Sequence, residues 1–113
     1  MNSETILSAQ TYDPLGDATQ SITGDKFRGD GYYGRSDGFH TVQYSIDGFI
    51  GTVAIQATLA IDPVEADWFT VYTQAYLVGT TTSVITNFTG NYVWIRSVIT
   101  YTDGTINSIE LNH

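Results

Sequence analysis

An all-β fold, a single antiparallel β-sandwich or jelly-roll-like domain of about six to eight strands, is what this 113-residue sequence predicts. Thr, Val, Ile and Tyr crowd the segments between glycines, whereas Leu, Ala, Lys and Glu, the residues that build helices, are few or scattered. Glycines and Asp-Gly pairs punctuate the chain at short intervals. Within the segments, apolar and polar residues alternate with the period of a strand that buries one side.

Taken in order, residues 1–18 carry weak signals and read as a possible N-terminal arm, so the β-sandwich domain is expected over 19–113. A short strand fits 19–23, and FRGDGYYGRSDGFH (27–40) reads as an ordered Gly-rich connection. VQYSI (42–46) is a strand candidate ending at Asp47-Gly48, and GTVAIQATLAI (51–61) is a longer one. In the latter, Val53, Ile55, Ala57 and Leu59 fall on one face, while Thr52, Ala54, Gln56 and Thr58 fall on the other. Asp62-Pro63 breaks it, Pro63 to Ala66 suits one helical turn, and Trp68 opens an aromatic-rich strand. SVITNF (83–88) is a further strand before Thr89-Gly90-Asn91 turns the chain. A last hairpin is expected from NYVWIRSVITYT, Asp103-Gly104 and TINSIELNH. A three-residue loop there would pair Arg96 with Glu110 and set Ile95, Ile99 and Tyr101 on the face of Ile109 and Leu111.

Charge narrows the partners. Twelve acids against four bases give −8, a field that repels phosphate backbones and anionic lipid, so neither nucleic acid nor membrane is expected to bind. The chain has no cysteine, which leaves stability to packing and backbone pairing, and eight Tyr, five Phe and two Trp supply core volume. MNSETILSAQ lacks the basic segment and apolar core of a signal peptide, and no apolar run is long enough to cross a bilayer, so a soluble, cytoplasmically made product is expected.

Catalytic sets are missing from the sequence. His40 is the sole internal histidine, no G-x-S-x-G surrounds a serine, and His40 and His113 are too far apart in sequence to suggest a zinc site. Asp25, Asp37, Asp47 and Asp103 flank glycines, where carboxylates accept local backbone hydrogen bonds, so turn chemistry explains them better than a carboxylate pair does. No enzyme activity, cofactor or metal is expected. Arg28-Gly29-Asp30 is read as a turn, and Tyr32-Tyr33 as packing. The mixed charges of Lys26, Arg28, Asp30, Arg35 and Asp37 suit contacts across a subunit boundary. On the last hairpin, alternation sends Trp94 and Arg96 to the face opposite Ile95 and Ile99. There the indole needs cover from the arm or from a neighbouring subunit, unless the register is reversed and Trp94 is core. The candidate interface is therefore Arg28, Asp30, Tyr32, Tyr33, Arg35, Trp94 and Arg96.

GDGYYGRSDGFHTVQYSIDGFIGTVAIQATLA, the Trp68-Phe69 segment and NFTGNYVWIRSVITYTDGTINSIELNH together resemble the small β-sandwich structural proteins of tailed-phage virions, particularly those of cyanobacterial myoviruses. Over roughly residues 24–113, the resemblance implies a non-enzymatic virion component present in several copies, partnered by itself and by other virion proteins. Capsid decoration, neck, tail and fibre are all open to it. The alternative function is a carbohydrate-binding module presenting Tyr32, Tyr33 and Trp68 to glycans, with a small glycoside hydrolase using Asp30 or Asp37 in third place.

Overall fold

The computed structural model describes residues 3–11, 20–29 and 39–112. Among them the chain is antiparallel β throughout: β1 (Ser3–Leu7), β2 (Gln10–Thr11), β3 (Gln20–Thr23), β4 (Phe27–Arg28), β5 (Phe39–Thr58), β6 (Phe69–Thr89), β7 (Trp94–Ile106) and β8 (Ile109–Asn112). One 3-10 turn, Glu65–Asp67, lies between β5 and β6. None of the described helices is long and apolar enough to cross a membrane.

The long β5–β6 hairpin is the frame. Its strands pair from Phe39↔Thr89 to Ala57↔Phe69. At about 3.3 Å per residue, the 20 residues of β5 would run about 65 Å, yet the longest extent of the molecule is 44 Å. The hairpin must therefore bend, and the register slips between Ile46 and Gly51 mark where. Two glycines make that corner. Gly48 has φ +59, and Gly104 of the neighbouring β7 has φ +90, with space for its would-be Cβ already taken by the Gly48 carbonyl oxygen. Folding over brings the hairpin's far ends together: the Val93 amide donates to the Thr58 carbonyl at 2.9 Å, while the Tyr92 ring lies 6.1 Å from that of His40. The result is a β-sandwich made by one curled sheet.

β7 pairs with β5 from Thr58↔Trp94 across the corner to Ile46↔Ile106, and β8 continues in the same direction along its first half (Val42↔Leu111). The far edge is closed by the N-terminal strands: β1 on β8, and β2, β3 and β4 on β7. Where an arm was expected over 1–18, Ser3–Leu7 and Gln10–Thr11 are thus part of the sheet, and Ile6 and Leu7 enter the core. The expected strand at 19–23 is β3, and the helical turn expected at 63–66 falls at Glu65–Asp67.

Alternation fills the space between the layers. Val42, Tyr44 and Ile46 come from one half of β5, and Val53, Ile55 and Ala57 from the other. Ile95, Ile99 and Tyr101 of β7 join Ile106, Ile109 and Leu111 in the same core. The Tyr44 hydroxyl bridges the layers, 2.9 Å from the Tyr72 hydroxyl and 2.8 Å from that of Tyr76. Phe49 stacks on Tyr101 with centroids 5.6 Å apart. Leu59, grouped with this face by periodicity, lies just beyond the end of β5 and is exposed.

The terminal hairpin is corrected. β7 and β8 do not pair, because both edges of β7 are already occupied, and Asp103-Gly104 serves the corner instead of a chain reversal. Glu110 accordingly meets Thr5, whose hydroxyl donates to it at 3.1 Å, and not Arg96.

Candidate interaction surface

Ile95, Ser97 and Ile99 of β7 point into the core, so Trp94 and Arg96 stand on the other face, as alternation requires. Arg96 lies opposite Gln56, and Trp94 opposite Thr58. The connection from 59 to 68 folds back over them. It is shaped by its short turn, where the Val64 amide donates to the Asp67 carboxylate and the Asp67 amide to the Val64 carbonyl, each at 2.9 Å. That turn sets Glu65 against Arg96 in a two-pronged ion pair, with Nη2 donating to Oε1 at 2.7 Å and Nη1 to Oε2 at 3.1 Å. Arg96 Nε donates to Gln56 Oε1 at 2.8 Å, and the guanidinium carbon sits 4.4 Å from the Trp68 ring centroid. Arg96 is thereby buried, whereas the Glu65 side chain stays 83% exposed. The guanidinium's hydrogen bonds hold the Glu65 carboxyl below its ordinary range.

Trp94 is half-buried. Its indole N–H donates to the Ile61 carbonyl at 2.9 Å, and the Lys26 ammonium rests 4.6 Å from its ring centroid. Its cover comes from the same connection and from the stretch before β4, within the chain itself. Of the other candidate interface residues, Arg28 is exposed on β4 beside Trp94. Asp30, Tyr32, Tyr33 and Arg35 lie outside the described residues, as does Asp37. His40 is fully buried and stacked on Phe88, with ring centroids 5.1 Å apart. No group of three metal-ligating side chains occurs among the described residues.

Two features escape motif reading. The first is a set of exposed apolar side chains: Leu59, Ile61 and Val64 on the connection, and Phe69, Leu77, Val78 and Ile85 on β6, each at least 64% exposed. Beneath the connection, Ala57, Leu59, Ala66, Phe69, Val71 and Tyr92 line an apolar cleft of about 400 Å³. The second is the free edge of β6, which among the described residues pairs with β5 alone. Its 21 residues, FTVYTQAYLVGTTTSVITNFT, contain no charged residue and no proline, a signal that a count of charge along the sequence would have found.

No family model and no curated protein sequence matches the chain. Similar solved structures share its fold. A capsid protein of naturally occurring empty cowpea mosaic virus particles aligns with TM-score 0.56 and 10% identity, covering 99% of this chain and 85% of that one. A family 29 carbohydrate-binding module from Piromyces equi aligns with TM-score 0.51 and 9% identity, covering 99% and 91%. The K3 cleaved adhesin domain of Lys-gingipain from Porphyromonas gingivalis aligns with TM-score 0.54 and 10% identity, covering 93% and 71%. At such identities the likeness defines a jelly-roll-like β-sandwich and nothing finer.

Proposed function

We propose that this chain is a non-enzymatic structural protein of a virus particle, of the tailed-phage kind its sequence resembles, working through contacts with its own copies and with neighbouring virion proteins. The observation that carries the reading is the exposed apolar set on β6 and the 59–64 connection, since a protein that works alone in water rarely leaves so many large apolar groups uncovered on adjoining segments. The likeness to a capsid protein agrees with it, and a net charge of −8 sets it apart from a nucleic-acid-binding role.

Glycan binding, which the carbohydrate-binding neighbour brings forward, fits the two indoles less well. One face of Trp68 carries the Arg96 guanidinium and one face of Trp94 the Lys26 ammonium, so each indole keeps at most a single face for stacking on a sugar ring. Antibody raised against the chain and applied to purified particles of the encoding virus should label them at a regular site. Absence of the protein from particles, together with saturable binding on a glycan array, would replace this reading with the other.

A further inference from the structure

We infer that the free edge of β6 pairs, antiparallel and across a two-fold axis, with β6 of a second copy, along residues 82–89. The inference rests on the assembly reading above and names the surface that carries it. Edge strands of soluble proteins are normally kept from pairing by brevity, lysines, prolines or bulges. β6 has 21 residues and none of those side chains. At the chain's charged fraction of 14%, about three charged residues would fall in a stretch of this length, and there are none.

The missing charge points to an identical partner. Two-fold pairing sets a strand against itself, so any charged residue near the axis would face its own like. Elsewhere the chain carries twelve acids, which push copies apart, and β6 is a long segment where that repulsion has no local source. A basic partner would find no carboxylate on this strand. What the edge offers is backbone unpaired among the described residues, together with β-branched side chains, and a second β6 supplies both in kind.

Residues 82–89 are the straight part, paired to β5 from Ile46↔Thr82 to Phe39↔Thr89 without a register slip. TSVITNFT is rich in residues that favour strands, and Ile85 stands 68% exposed on the outer face. Eight paired residues would contribute about eight backbone hydrogen bonds, within the range of about ten, give or take five, seen in stable interfaces.

Because the chain has no cysteine, each single-cysteine variant carries one thiol, and a disulfide can form only between copies. Cysteine is placed in turn at each position from Thr82 to Thr89, so that one variant lies within half a step of the axis wherever it falls. Across a two-fold axis, identical residues separate by about 7 Å for each step away from it, and a disulfide needs Cα atoms about 4.4–6.8 Å apart. Mild oxidation should therefore give covalent dimer at one or two neighbouring positions, with little elsewhere, and Ile85→Lys should weaken association about tenfold or more. If all variants keep the melting temperature and sedimentation of the unmodified chain yet the cross-linking profile is flat, the edge inference falls and the assembly reading stands. If the chain is monomeric at every concentration, this inference falls, and the assembly reading falls with it only when the protein is also absent from virus particles.

Discussion

Tyr44→Phe removes one oxygen from the middle of the sandwich and keeps the ring. That oxygen joins the layers through two hydrogen bonds, of 2.9 Å to Tyr72 and 2.8 Å to Tyr76. Tyr44 is 1% exposed, while its two partners are half-buried, so each freed hydroxyl can turn partly to water and escape the full desolvation penalty. At about 0.5–1.5 kcal/mol for each net hydrogen bond, the loss should be about 2 kcal/mol. For a domain of this length, that lowers the midpoint of thermal unfolding by about 8 °C. Burial and the two hydroxyl partners also push the Tyr44 phenol well above its ordinary value of 10.0. A raised pKa in the folded state means stability that is fully present below pH 10 and declines as pH rises above it, so the variant should lose stability less steeply on the alkaline side. Thermal melts followed by circular dichroism, at neutral pH and through alkaline pH, measure both effects. Because Tyr76 then has no phenol partner at Tyr44, Tyr76→Phe should cost less in the variant than in the parent. An unchanged melting temperature with strict additivity would refute the facing of the two halves of β5.

The other predictions test the corner and the outer face. Gly104→Ala puts a Cβ against the Gly48 carbonyl at a φ of +90, so it should lose at least about 1–2 kcal/mol from backbone strain alone, read in urea unfolding. Trp94→Ala should cost about 2 kcal/mol, less than the 3–5 typical of a fully buried aromatic, because the indole is half-buried and covered within its own chain; unfolding free energy checks it. With the Glu65 carboxyl held below its ordinary value of 4.5, the Arg96 pair adds stability above that pH and loses it as pH falls through the lowered value, so Glu65→Gln should flatten the acid limb of the melting-temperature profile.

Local chemistry was legible where it depends on neighbours in sequence. Period-two alternation put Val53, Ile55 and Ala57 inside, and Trp94 opposite Ile95. The Asp-Gly pair at 47–48 marks a discontinuity, but sequence does not distinguish a turn between two strands from a bend within one, and here Val42–Ile46 and Gly51–Thr58 belong to a single β5. The same ambiguity misled at Asp103-Gly104. Glycine supplies the positive φ in either case, and only the occupied edges of β7 decide that the chain bends instead of reversing. Arg96 had to find an acid, and Glu110 was the nearest by hairpin register. Glu65 won because the 59–68 connection folds across the sheet, a long-range event without a local signature. The β6 edge was visible as an uncharged run, yet its exposure follows from its being outermost in the sheet order.

Sedimentation velocity on the unmodified chain, from micromolar to millimolar concentration, tests most directly whether it works by joining to copies of itself. A weight-average sedimentation coefficient that climbs with concentration from the monomer value toward a dimer or larger species, and falls back on dilution, is the expected result. A single monomeric boundary throughout, with Leu77, Val78 and Ile85 still exposed to solvent, would contradict it.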